Sequence, residues 1–350
     1  TTYFGGTVIP NYSITQNENA DLRWEVKKMF NAGLDFGFIK GKLTGAIDAF
    51  TGVTSDLLFD YEVPQPPYPF GTIKANVGEV LNQGLELSLN YITVDQGDWY
   101  VTLGGNVSMN RTEVQELNGS LNGVPLETDY VVWGSGGTTG VASTNNAISH
   151  LIIGQPLGSF YLFKHAGVDS NGNQIIDDLD GDGSVEDGNR ENDDRYLAGQ
   201  ALPKVTWAFT PTASYKNFDL SVLVRGAHGH QIYNARRATL SALGTLGQSN
   251  VLNSALETGV NNITYASDLW LEKGDYVRLE NITLGYNFNT TSWSFVESLR
   301  LSFTANNLFV ITEYTGIDPE ISTSGGSGFG IDYGIYPRTR NFAVGLNATF

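Results

Sequence analysis

Asn341-Phe342-Ala343-Val344-Gly345-Leu346-Asn347-Ala348-Thr349-Phe350 decides the fold class. Phe342, Val344, Leu346, Ala348 and Phe350 fall on one side of an extended chain. Asn341, Ala343, Gly345, Asn347 and Thr349 fall on the other, and all are small or polar. Strict period-two alternation marks a β-strand with two unlike faces. About ten residues is the length of one tilted membrane crossing. An aromatic residue at the chain end, here Phe350, is also the type of residue that barrel-assembly machinery reads on the last strand of an outer-membrane barrel, so Phe350 is the expected assembly signal.

The same pattern recurs upstream. Leu85, Leu87, Leu89 and Tyr91 alternate with Glu86, Ser88 and Asn90. Trp99, Val101, Leu103, Val107 and Met109 alternate with Tyr100, Thr102, Asn106 and Ser108. Val205, Trp207, Phe209 and Tyr215 form a third set, Phe218, Leu220, Val222 and Val224 a fourth, and Leu299, Leu301, Phe303, Ala305 and Phe309 a fifth. The polar faces hold Ser, Thr, Asn and Gly where the outside of a soluble sandwich would carry long charged side chains. Small polar residues suit a watery lumen, with the apolar face turned to lipid. Aromatics near strand ends, such as Trp99, Tyr215, Phe218 and Phe350, suit an interfacial girdle. Between Tyr276 and Phe288 the phase slips near Glu280-Asn281, which predicts a bulge or a strand end.

Tight turns are expected at Lys40-Gly41-Lys42, Gln96-Gly97-Asp98 and Lys216-Asn217. Long irregular stretches are expected at about 51–80, 110–150, 160–203, 226–275 and 311–340. Short turns at one end and long loops at the other describe an outer-membrane barrel. The expected fold is therefore all-β: part of an antiparallel transmembrane β-barrel, with about ten or eleven strands forming an open curved sheet.

Composition agrees. The 350 residues carry a net charge of -17, 41 glycines and no cysteine, with 12% aromatic and only 16% charged residues. Excess acid excludes a nucleic-acid binder, which needs clustered cations. The lack of cysteine excludes a disulfide framework and thiol chemistry. No run of 18 apolar residues exists to form a transmembrane helix. The four histidines, His150, His165, His228 and His230, fit no metalloprotease spacing, and neither a nucleophile elbow nor a phosphate loop is present. The chain is not expected to be an enzyme.

Several strings in order resemble one family. They include Asp21-Leu22-Arg23-Trp24-Glu25 with Asn31-Ala32-Gly33-Leu34-Asp35-Phe36-Gly37, Asn82-Gln83-Gly84-Leu85-Glu86, and Gly154-Gln155-Pro156-Leu157-Gly158-Ser159-Phe160-Tyr161. Tyr215-Lys216-Asn217-Phe218-Asp219-Leu220-Ser221 follows, and then Gly274-Asp275-Tyr276-Val277-Arg278-Leu279-Glu280-Asn281-Ile282-Thr283-Leu284-Gly285-Tyr286. Tyr314-Thr315-Gly316-Ile317-Asp318-Pro319-Glu320 and Tyr336-Pro337-Arg338 complete the series. Together they resemble the barrel of SusC/RagA-type TonB-dependent transporters. The resemblance implies active import of oligosaccharides or peptides across a Bacteroidetes-type outer membrane. It implies energy from a TonB complex and a SusD-like surface lipoprotein acting as a lid. Residues 1–350 would form the C-terminal portion of a barrel of about 22 strands. The opening Thr1-Thr2-Tyr3-Phe4-Gly5-Gly6 has no initiator Met and no signal-peptide pattern, so the plug and export signal are expected to lie upstream.

One loop has metal-ligand spacing. Asp178, Asp180 and Asp182 stand at positions 1, 3 and 5 of an EF-hand-like string, with Gly183 at 6 and Ser184 at 7. Position 12 is Asn189, so the last ligand falls to Glu186, Asp193 or Asp194. The expected cofactor is a structural calcium ion; the alternative is a solvated acidic turn. A weaker site is conceivable at Asp169, Asn171, Asn173 and Asp177. Trp133, Trp270, Tyr130 and Tyr333 lie in long loops and are candidates for stacking on cargo, or for plain loop packing. Two rivals remain open at this point: a secreted, calcium-dependent glycan-binding sandwich, and a small closed outer-membrane barrel such as an adhesin.

Overall fold

The computed structural model describes residues 2–4, 7–9, 14–121, 124–135, 147–185, 193–321 and 328–350. Nine strands form one continuous antiparallel path. They are β1 (Val26–Phe38), β2 (Leu43–Ser55), β3 (Thr72–Gln96), β4 (Trp99–Leu121) and β5 (Val205–Tyr215). β6 (Phe218–His228), β7 (Tyr276–Phe288), β8 (Ser298–Thr312) and β9 (Asn341–Thr349) continue it. Each of these strands pairs with the next, short turns at one end alternating with long connections at the other. Leu58–Glu62 pairs with β3 and Val124–Glu127 with β4, which brings the sheet to 11 strands. The sheet is open: its edges are β1 and β9. No helix among the described residues is long and apolar enough to cross a membrane, which says nothing against crossing by strands.

Register shows that the two faces are continuous across the sheet. One row of paired residues runs Leu34, Ile47, Leu87, Val107, Trp207, Gly226, Val277, Ile311. The next row runs Asp48, Glu86, Ser108, Thr206, Ala227, Tyr276, Thr312. Gly226 breaks the apolar row because the Trp207 ring lies over it; a Cβ there would sit 2.8 Å from the indole. Large apolar side chains on this face stay uncovered even in interior strands, with Leu85 55% and Leu284 49% exposed. A soluble sandwich would bury that face, so the sandwich rival fails on packing. The polar face satisfies itself across strands. Ser108 donates to Glu86 at 3.1 Å, Asn281 to Asn306 at 2.7 Å, and the Thr102 and Thr212 hydroxyls share a bond at 2.6 Å.

The turn expectations hold. Gly97-Asp98 and Lys216-Asn217 are two-residue connections, and Ile39–Lys42 closes the first hairpin. At this end Trp99 stacks on Tyr215 with centroids 4.4 Å apart, and Phe218 meets Tyr286 at 4.7 Å. The expected phase slip is a bulge at Glu280: Leu223 faces Asn281, and Val224 faces Leu279.

Each of the five stretches read as loop contains strand, and two of them hold long extensions of sheet strands. β3 begins at Thr72 and β4 runs on to Leu121, well past the alternating segments that flagged them. Their upper halves carry cover on the sheet faces, with Ile73, Ala75, Val77, Val114 and Leu117 all at 0–1% exposure. Burial of this kind erases the contrast that alternation depends on. The remaining loops fold onto one another around a second core of Ile148, Phe160, Leu162, Tyr233, Val260, Ile263, Trp270 and Ile331.

Candidate functional site at the loop end of the sheet

The acidic loop is a compact turn. Asp178, Asp180 and Asp182 each bring a carboxylate oxygen within 4.8 Å of the others, and all three are exposed. The turn is built by its own backbone. Gly181 and Gly183 N–H groups donate to the Asp178 carboxylate at 2.7 and 2.9 Å, Asp182 N–H to Asp180 at 3.0 Å, and Ser184 N–H to Asp182 at 2.7 Å. These amides hold the Asp178 carboxyl below its usual range. Asp180 also gains from the Asp182 amide, but desolvation and the charges of Asp182 and Asp194 outweigh it and hold its carboxyl above the usual range. Crowded like charge of this sort is what a divalent cation relieves.

The fourth-ligand candidates separate. Asp194 is fully buried and accepts the Leu179 N–H at 2.6 Å, so it anchors the start of the turn. Asp193 is committed elsewhere: its oxygens take Arg195 Nε and Nη2 at 2.9 and 2.8 Å. Glu186 lies outside the described residues. The weaker site is occupied by internal bonds. Asp169 accepts the Asn171 and Asn173 N–H groups at 2.8 Å, and Asp177 pairs with Lys164 at 2.7 Å.

The four aromatics divide. Trp270 is fully buried in the loop core, under the Arg237 guanidinium at 5.4 Å, so it is core rather than a stacking surface. Tyr130 packs on His150 at 5.7 Å. Tyr333 is 41% exposed. Trp133 is half-buried and meets Phe329 edge-on at 4.7 Å.

Sequence reading missed a charge cluster where three of the family strings converge. Arg278, on the polar face of β7, is 1% exposed. Its Nη2 donates to Asp318 at 2.6 Å, its Nε lies 3.2 Å from Glu320, and Asn307 accepts from Nη1. Arg338 reaches Glu320 at 3.1 Å, and Arg225 bonds both Glu320 and Glu280. Glu320 loses solvent, but bonds from Arg225 and Tyr276 outweigh that cost and hold its carboxyl below the ordinary glutamate value. Three arginines and three carboxylates thereby pin the 313–340 loop to the wall. The signal was present in sequence as Arg278 and Glu280 two residues apart in one strand, followed by a distant Asp-Pro-Glu.

The comparisons agree with this geometry. Residues 1–308 match the family described as TonB dependent receptor-like, beta-barrel. TonB-dependent receptor SusC of Bacteroides thetaiotaomicron is 30% identical over 346 residues, covering 95% of this chain and 32% of that protein. TonB-dependent receptor P3 of Formosa agariphila is 27% identical, covering 96% and 35%. A solved structure of the RagAB peptide transporter superposes with a TM-score of 0.75 at 25% identity, covering 97% of this chain and 37% of that one. The chain thus spans about a third of the length of these relatives. With its family matched and its apolar face left uncovered, the chain belongs to the TonB-dependent receptor β-barrel family and is an outer-membrane barrel protein of the SusC/RagA type.

Proposed function

We propose that the protein of which this chain forms barrel wall imports nutrients across the outer membrane, driven by a TonB complex. The observation that carries this reading is the two-faced sheet. One face is apolar and uncovered, the other is polar and cross-bonded, and loops pack together at one end. A wall of that kind surrounds an aqueous passage in lipid. A SusD-like lipoprotein is the partner proposed for the loop end. The cargo is an oligosaccharide or a peptide; the similar RagAB structure is that of a peptide transporter. Catalysis is not part of the reading.

Calcium is proposed at Asp178, Asp180 and Asp182, with the Ser184 carbonyl and Asp194 or Glu186 completing the shell. The convergence of three carboxylates supports it. The ion would tie the exposed turn to the buried Asp194 and do no chemistry.

The import reading is tested by inactivating the gene in its host and following uptake of defined oligosaccharides and peptides. Loss of one class of uptake, reproduced when the membrane is de-energised, is the expected result. Unchanged uptake of every class would overturn it.

A further inference from the structure

We infer that the loop end of the lumen face carries a cargo subsite beside Trp133, shaped for a bulky apolar group with a positive charge next to it, as in an apolar peptide side chain near an amine. This rests on the import reading and gives it a ligand chemistry.

A cavity of about 630 Å³ lies between the tops of β2–β4 and the segment that carries Trp133. That is within the size range of small-molecule sites. Its floor is the polar face itself. Thr54 pairs with Val80 and Asn82 with Thr112, so all four residues continue the inward rows below them. The cavity therefore opens on the passage side of the wall, where cargo must travel. The walls are apolar: Leu57, Phe59, Val131, Trp133 and Leu157. Trp133 is held edge-on by Phe329, with rings 75° apart, so its orientation is set before a ligand arrives.

The polar groups are few, and the charged ones are both carboxylates. Asn82 Oδ1 is buried and has no hydrogen-bond partner. An unsatisfied buried acceptor is costly, and a ligand N–H would relieve it. Glu25 and Asp60 stand at the rim. Glu25 spends one oxygen on the Leu58 N–H at 3.0 Å, and Asp60 pairs with Lys74 only in an exposed bridge of 2.9 Å. Among the described residues no lysine or arginine lines the cavity, and its charged groups are negative. Thr112 Oγ1 already accepts the Leu157 N–H at 3.1 Å. A sugar ring presents hydroxyls on every edge and would leave most of them facing apolar wall. An apolar side chain with a neighbouring amine leaves none.

The test uses the full-length protein in detergent and two variants, Asn82→Leu, which keeps the shape, and Val131→Trp, which fills the cavity. Affinities are measured for a hexapeptide pairing phenylalanine with lysine, an all-serine hexapeptide, and a linear glucose oligosaccharide. The expected result is binding of the first peptide alone, weakened about tenfold by Asn82→Leu and more by Val131→Trp, with no fall in melting temperature. Preferred binding of the oligosaccharide, abolished by Val131→Trp, would assign the cavity to glycans and overturn the inference. Equal affinity in all three proteins would overturn it as well. If uptake in cells still depends on the gene while Val131→Trp leaves it intact, the pocket assignment falls and the import reading stands.

Discussion

Arg278→Met should release the 313–340 loop from the barrel wall. The guanidinium is 1% exposed and bonds Asp318, itself 4% exposed, at 2.6 Å. Methionine fills much of the same volume but leaves the Asp318 carboxylate with the Glu320 N–H, at 2.9 Å, in place of the guanidinium. Removing one partner of a buried ion pair costs about 3–5 kcal/mol. Arg225 and Arg338 still hold Glu320, so the low end applies, about 3 kcal/mol, or roughly a hundredfold in the equilibrium between docked and open loop. Native-state proteolysis within the loop, at low protease concentration, reads that equilibrium as a cleavage rate. The double variant Arg278→Met with Asp318→Leu removes both charges and should recover most of the loss. A rise in cleavage of less than about tenfold, or a double variant that opens as far as the two single effects summed, would show that the cluster does not pin the loop.

Three further outcomes are expected. Gly285 lies beneath the Asp219–Arg300 pair, which spans β6 to β8 at 2.5 Å, and a Cβ there would sit 2.5 Å from the Asp219 carboxylate; Gly285→Val should cost about 1–3 kcal/mol of thermal stability, measured by heat-modified gel mobility. Burial, then the charge of Arg195, lowers the His150 imidazole from 6.5 to about 3. The unfolded ring binds a proton below 6.5 and the folded ring does not, so the loop cap should lose stability as pH falls from 6.5 toward 3, by up to about 1.4 kcal/mol per unit, and His150→Phe should flatten that slope in hydrogen exchange. Millimolar calcium should slow proteolysis at the 178–184 turn, a chelator should restore it, and Asp180→Asn with Asp182→Asn should remove the difference; equal rates with and without the ion would leave only a solvated acidic turn.

What the sequence disclosed follows from where the physics is local. In β9 and β5–β6 each residue meets either lipid or lumen, so alternation survives and even the Glu280 bulge shows as a slipped phase. The upper halves of β3 and β4 are packed under loop segments, with Ala75 and Val114 fully buried, and the two-face contrast vanishes there. The loop core is assembled from separate segments, around Ile148, Phe160, Tyr233, Trp270 and Ile331, and no periodicity links them. Trp270 therefore read as a loop aromatic when it is the centre of a core. Asp178, Asp180 and Asp182 were legible because five consecutive residues set their geometry. Arg278, Asp318 and Glu320 were visible as strings, but their meeting needs the 313–340 chain to fold back over β7. Asn82 gave no signal, since an orphaned acceptor exists only once the residues around it are placed.

The central claim is that lipid touches the apolar rows and water the polar ones. Because the chain contains no cysteine, single cysteines can be placed along β9 one at a time, from Phe342 through Asn347, and probed in outer-membrane vesicles. A membrane-impermeant thiol reagent should label positions 343, 345 and 347 and spare 342, 344 and 346, while a lipid-soluble quencher should reach only the second set. Uniform labelling, or a second set that neither reagent reaches, would place those side chains in water or in a dry protein interior and contradict the barrel-wall account.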